Sequence, residues 1–128
     1  MADNPRRQRP KNLNLVTIRL PLPALVSILH RLSGALLFLA IPLLLWLLQL
    51  SLASAESFVI VQNLMQHKLV KLICWLLAWA FLHHACAGIR HLLLDARWGM
   101  HRWFARFSSQ AVLLVSAGLS LATGVWLW

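Results

Sequence analysis

Three stretches of 18 residues or more contain no Asp, Glu, Lys or Arg: residues 32–55, 72–89 and 107–128, of 24, 18 and 22 residues. As helices rising about 1.5 Å per residue, each is long enough to cross a hydrocarbon core of about 30 Å, the middle one only just. Together they take half of the 128 residues and leave no room for a soluble catalytic domain. The composition agrees: 60% of the residues are hydrophobic and 12% charged, about half the charged share of a soluble domain. The fold class expected is an all-α membrane protein with three transmembrane helices.

Charge sets the expected orientation. Twelve Lys and Arg face three Asp and Glu, for a formal net charge of +9. Arg6, Arg7, Arg9, Lys11 and Arg19 precede the first span, and Arg90, Arg97, Arg102 and Arg106 bracket the second connection. The first connection carries only Lys68 and, at its edge, Lys71, against Glu56. By the positive-inside rule the N-terminus is cytoplasmic and the C-terminus periplasmic. The basic excess is thus a topology signal and a contact with anionic lipid, with no nucleic acid as partner. Ala53-Ser54-Ala55 has the look of a signal-peptidase site, but the polar region and apolar run before it are both too long for a secretory signal. Cys74 and Cys86 share the second span twelve residues apart, too far along one helix to pair.

Residues 1–22 read as an irregular cytoplasmic arm and 23–128 as the membrane anchor, with spans at about 24–52, 69–92 and 107–128. Pro23 suits a first helical position, and Pro42 falls inside the first span, where neighbouring helices commonly tolerate it. The outward connection, 51–68, is polar and mildly helical. The inward one, 95–106, is aromatic and basic, as a headgroup-level anchor would be. Ser116, Ser120 and Gly124 form a small-residue stripe that permits close helix approach. Trp126 and Trp128 set the end of the third span at an interface.

Chemistry concentrates at one end of the first two spans. His84, Gly88, His91 and Asp95 are spaced 4, 3 and 4 and share a helical face. His84 lies six residues before Arg90, about 9 Å inside the membrane edge. An intramembrane imidazole wants a hydrogen-bond partner or a metal, and its type alone leaves both open. Gly88 leaves space beside it for a flat ligand. His83 points about 100° away and is read as a packing residue. On the first span Ser27, Arg31 and Gly34 form a stripe with His30 adjacent; a guanidinium here either snorkels to headgroups or meets a carboxylate. Antiparallel spans put Ser27, His30, Arg31, His84, Arg90 and His91 at similar depth, which suits a haem with two propionates. The chain has no CxxCH motif, so a haem would be non-covalent, and no tyrosine. No charged residue sits mid-membrane, which argues against a transporter built on a central carboxylate.

Ser27-Ile28-Leu29-His30-Arg31-x-Ser33-Gly34, followed by His84-x-x-x-Gly88-Ile89-Arg90-His91-x-x-x-Asp95, resembles the cytochrome b subunit of bacterial succinate dehydrogenase. Arg9-Pro10-x-Asn12-Leu13 and Thr17-Ile18-Arg19 resemble its N-terminal pattern. The likeness implies a multi-pass subunit of the bacterial cytoplasmic (inner) membrane, packed with a second small three-helix subunit. It implies a flavoprotein and an iron–sulfur subunit as further partners, with electrons passing from succinate to ubiquinone. By position, the resemblance makes His84 one axial ligand of haem b, the other coming from the sister subunit. It sets His30 and Arg31 at the propionates, Arg31 and Ser27 at the quinone, and leaves His91 and Asp95 supporting roles. No flavin or succinate chemistry is expected on this chain. The alternatives are a fumarate reductase anchor, which menaquinol preference would reveal, and a purely structural anchor, which would show no b-type absorption band.

Overall fold

A computed structural model describes residues 20–99 and 101–128; nearly all of the expected arm lies outside them. Among the described residues four helices follow one another: α1 (Leu22–Ala53), α2 (Ala55–Met65), α3 (Lys68–Asp95) and α4 (Arg102–Leu127). α1 starts behind the extended Pro21, with Pro23 in its first turn, and runs on through Pro42. α1, α3 and α4 are each long and apolar enough to cross a membrane, so the three expected spans are present.

The boundaries differ where local chemistry outweighs hydropathy. The connection between the first two spans is a distinct helix, α2, because Ser54 begins it with a capping box. Ser57 N–H donates to Ser54 Oγ at 3.1 Å, and Ser54 N–H donates to Ser57 Oγ at 3.0 Å. Both satisfy N–H groups that a helix start leaves without partners. α4 begins at Arg102 rather than 107, and α3 reaches Asp95 rather than 92. Charged side chains at a membrane edge end the apolar run without ending the helix. α3 stops when Trp98 N–H returns to the Leu93 carbonyl and Arg97 N–H to that of Leu94, both at 2.9 Å. This closing pattern demands a left-handed residue, and Arg97 takes it at φ 62°.

α3 and α4 run antiparallel, in one register along their length. Lys71 Nζ donates to the Leu127 carbonyl (3.2 Å), and Trp75 Nε1 donates to that of Ser120 (2.8 Å). Further along, His83 Nδ1 faces Ser116 Oγ (3.4 Å) and Arg90 Nε donates to Ser108 Oγ (3.0 Å). The buried face of α4 is Ser109, Val112, Ser116 and Ser120, small enough to admit the large α3 side chains. The interior is correspondingly unlike that of a soluble protein. Its buried set holds Ser33, His83, Arg90 and three serines of α4, while Phe38, Leu39, Leu52 and Trp126 are all more than 70% exposed. Apolar surface on that scale needs lipid or a partner to cover it.

Gly124 tests the close approach. A Cβ there would stand 2.9 Å from Trp75 Nε1, and overpacking of this kind typically costs about 1–3 kcal/mol. Gly124→Val should therefore lower the thermal stability of the membrane-extracted protein, and Gly118→Val, with nothing within 4 Å, should not. Equal melting temperatures for the two would refute this packing.

Candidate functional site

α1 and α3 cross at a cluster of three imidazoles. The His30 ring stacks on that of His84, centroids 4.2 Å apart and planes 14° from parallel, and meets His91 at 5.0 Å and 43°. The helical spacing explains this: His84, Gly88 and His91 turn one face of α3 toward α1. Gly88 faces the His30 ring, where a Cβ would lie at an ordinary contact distance of 3.5 Å from Nε2. The space read from the sequence as room for a flat ligand beside Gly88 is thus bordered by the His30 ring. His91 Nε2 is buried and has no hydrogen-bond partner among the described residues.

His84 is the most constrained member. Its Nδ1 lies 3.0 Å from the His30 carbonyl oxygen and 3.4 Å from Ser33 Oγ. A carbonyl only accepts, so Nδ1 carries the proton and donates to it, which leaves the lone pair of a neutral ring on Nε2. Beneath the ring lies Gly34, where a Cβ would come within 2.7 Å of His84 Cε1 and 3.1 Å of Nδ1. Ser33 and Gly34 are therefore site residues whose role was not assigned from sequence; the signal was a small pair one turn after His30, readable only once α3 is known to lie against it.

The remaining expected residues divide. Ser27 is half-buried and Arg31 exposed on α1, both turned to the side of His30, Arg31 by about 100°. They form a polar rim next to the histidines. Arg90 does not join them, contrary to the depth argument. It is only 6% exposed and turned to α4, with Nη2 donating to the Ala105 carbonyl at 3.4 Å besides its bond to Ser108. Depth alone put it with the cluster, but six residues rotate a helix by about 600°, which sets Arg90 about 120° from His84. His83, fully buried, also faces α4 and stacks on Trp79 at 5.7 Å, as the packing reading expected. Among the described residues no three His, Cys, Asp or Glu side chains converge as a self-contained metal site.

The family profile described as "Succinate dehydrogenase/Fumarate reductase transmembrane subunit" matches residues 5–123. The chain belongs to that family. It is similar to the "Succinate dehydrogenase cytochrome b556 subunit" of Coxiella burnetii (strain RSA 493 / Nine Mile phase I), 41% identical over 122 residues, 94% of this chain and 98% of the relative. The subunit of the same name from Paracoccus denitrificans is 36% identical over 123 residues, 96% of this chain and 95% of its own. That from Rickettsia felis is 29% identical, with 89% of each chain covered. The chain is therefore a multi-pass inner-membrane protein and the membrane-anchor subunit of an enzyme complex.

Proposed function

We propose that this subunit holds one side of a b-type haem and one wall of a ubiquinone-reduction site. It does so while anchoring the flavoprotein and iron–sulfur subunits of a succinate dehydrogenase in the bacterial cytoplasmic membrane. Residues 23–128 form the anchor beside a second small three-helix subunit, with residues 1–22 as a cytoplasmic arm, the N-terminus cytoplasmic and the C-terminus periplasmic.

The observation that carries the reading is the engagement of His84 Nδ1 by the His30 carbonyl. Ligating histidines commonly have one nitrogen fixed by such an acceptor while the other coordinates, so the donor set fits His84 Nε2 as the nitrogen that would hold the haem iron. His30 stacks on His84 in near-parallel planes, so its ring stands beside that of His84, and a second histidine for the iron would come from the sister subunit. A bound haem would add one-electron redox chemistry at this position. The names of the relatives, which include cytochrome b556, favour the same cofactor, and they favour succinate oxidation over the reverse reaction.

The surrounding groups have roles that follow from their chemistry. His30 and the Arg31 guanidinium offer donors to propionate carboxylates. Ser27 Oγ donates a hydrogen bond to a quinone carbonyl, and Arg31 stabilises the negative charge that develops there on reduction in a low-dielectric setting. A tyrosine at the quinone comes from the sister subunit, since this chain has none.

Ser27→Ala and Arg31→Leu separate this function from assembly. A hydrogen bond to a charged group is worth about 1.5–3 kcal/mol, so either change should slow ubiquinone reduction about tenfold or more. Succinate oxidation by an artificial dye in the same preparation should be unchanged. Unchanged ubiquinone reduction in both variants would refute the quinone-site role, whereas parallel loss of both activities would mark failed assembly instead.

A further inference from the structure

The His30 carbonyl faces more donors than it can serve fully. It accepts from His84 Nδ1 at 3.0 Å and from Ser33 Oγ at 2.9 Å. The helical repeat of α1 also points the Gly34 N–H at it, four residues on. A carbonyl oxygen has two lone pairs, so three donors share them. The Gly34 N–H is held in place by the helix. The Ser33 hydroxyl and the His84 N–H therefore compete for what remains.

Ser33 is well placed in that competition. It is only 3% exposed, so its hydroxyl has little water to turn to. A carbonyl cannot donate, so the single hydroxyl proton of Ser33 goes to the His30 oxygen, and Oγ presents only lone pairs to His84 Nδ1. That second contact is long, 3.4 Å, outside the usual range of an N–H···O bond. The larger effect of Ser33 is thus to draw on the oxygen that holds the His84 proton. The smaller one, opposite in sign, is to offer that proton a second acceptor.

We propose that Ser33 is a positioning residue that sets how tightly the His84 Nδ1 proton is held, and through it how strongly Nε2 donates to a haem iron. This rests on the haem reading above and adds a residue to it. An acceptor on the far nitrogen raises the basicity of a ligating imidazole, and a more basic ligand favours the more highly charged, oxidised metal. Ser33 weakens that acceptor, so its hydroxyl raises the midpoint potential of the site. Gly34 beneath the ring fixes where the imidazole sits; Ser33 adjusts how much charge it passes on.

The purified complex can be titrated potentiometrically while its b-type band is recorded, with haem per complex measured in parallel. Ser33→Ala should keep its haem and show a lower midpoint potential. The preference for the oxidised form should rise about threefold, part of the worth of one neutral hydrogen bond. At about 59 mV per tenfold for one electron, that is a fall of about 30 mV. Ser33→Thr, which restores the hydroxyl, should return to the wild-type potential. Ser33→Cys, of similar size but with a weak S–H donor, should fall between serine and alanine. An unchanged or raised potential in Ser33→Ala would overturn the proposal. So would an equal displacement in the alanine and threonine variants, because side-chain volume and not the hydroxyl would then be acting. Should Ser33→Ala lose its haem, the cysteine variant decides by the same comparison. A b-type band that survives intact in His84→Leu would instead remove the haem reading itself, and this proposal with it.

Discussion

His84→Leu should lower haem affinity by more than the roughly 10- to 100-fold that removing a ligand's hydrogen-bonding partner commonly costs. Leucine fills the same space next to His30 and Gly34 but has no lone pair. Reduced-minus-oxidised spectra of the purified complex should therefore lose most of their b-type band, while copurification of the other subunits reports assembly separately. His83→Leu provides the contrast. His83 is fully buried against Ser116 and Trp79, so its loss should perturb stability and leave the band position unchanged. A normal band in His84→Leu, or its disappearance in His83→Leu alone, would move the ligand role to position 83.

The second large effect is expected at Gly34, a position with no chemistry of its own. An alanine there would set its Cβ 2.7 Å from His84 Cε1, closer than such atoms approach. The imidazole is part of a rigid ring stacked on its other neighbour, His30, so it must rotate or withdraw from the His30 carbonyl. Either movement releases the proton on Nδ1 that determines which nitrogen is free to coordinate. Gly34→Ala should thus shift the absorption band and weaken haem retention by about 10- to 100-fold, the range for losing a ligand's orienting partner. Gly88→Ala, whose Cβ would meet His30 Nε2 at an ordinary 3.5 Å, should leave both close to wild type. Indistinguishable spectra for the two variants would show that Gly34 does not seat the ring.

The spans were readable because the period and length of apolar residues reflect a solvent requirement that acts on each helix separately. Helix ends were less so. Ser54-x-x-Ser57 caps α2 through hydroxyls, and Arg102–Arg106 stay helical despite their charge, neither of which hydropathy records. Within the site, the shared face of His84, Gly88 and His91 was legible from spacing, whereas the departure of Arg90 needed its rotation to be weighed along with its depth.

The residue order by itself determined the number of membrane crossings, the gathering of the chemistry at one end of the first two spans, and the split between His83 and His84. These are properties of one helix at a time, set by a 100° turn and a 1.5 Å rise. Only the tertiary structure decided that His84 rests on Gly34 with its proton held by the His30 carbonyl, and that Arg90 faces α4, on Ser108 and Ala105. Both are contacts between residues about 50 or about 18 positions apart, where packing of one helix on another selects the partner.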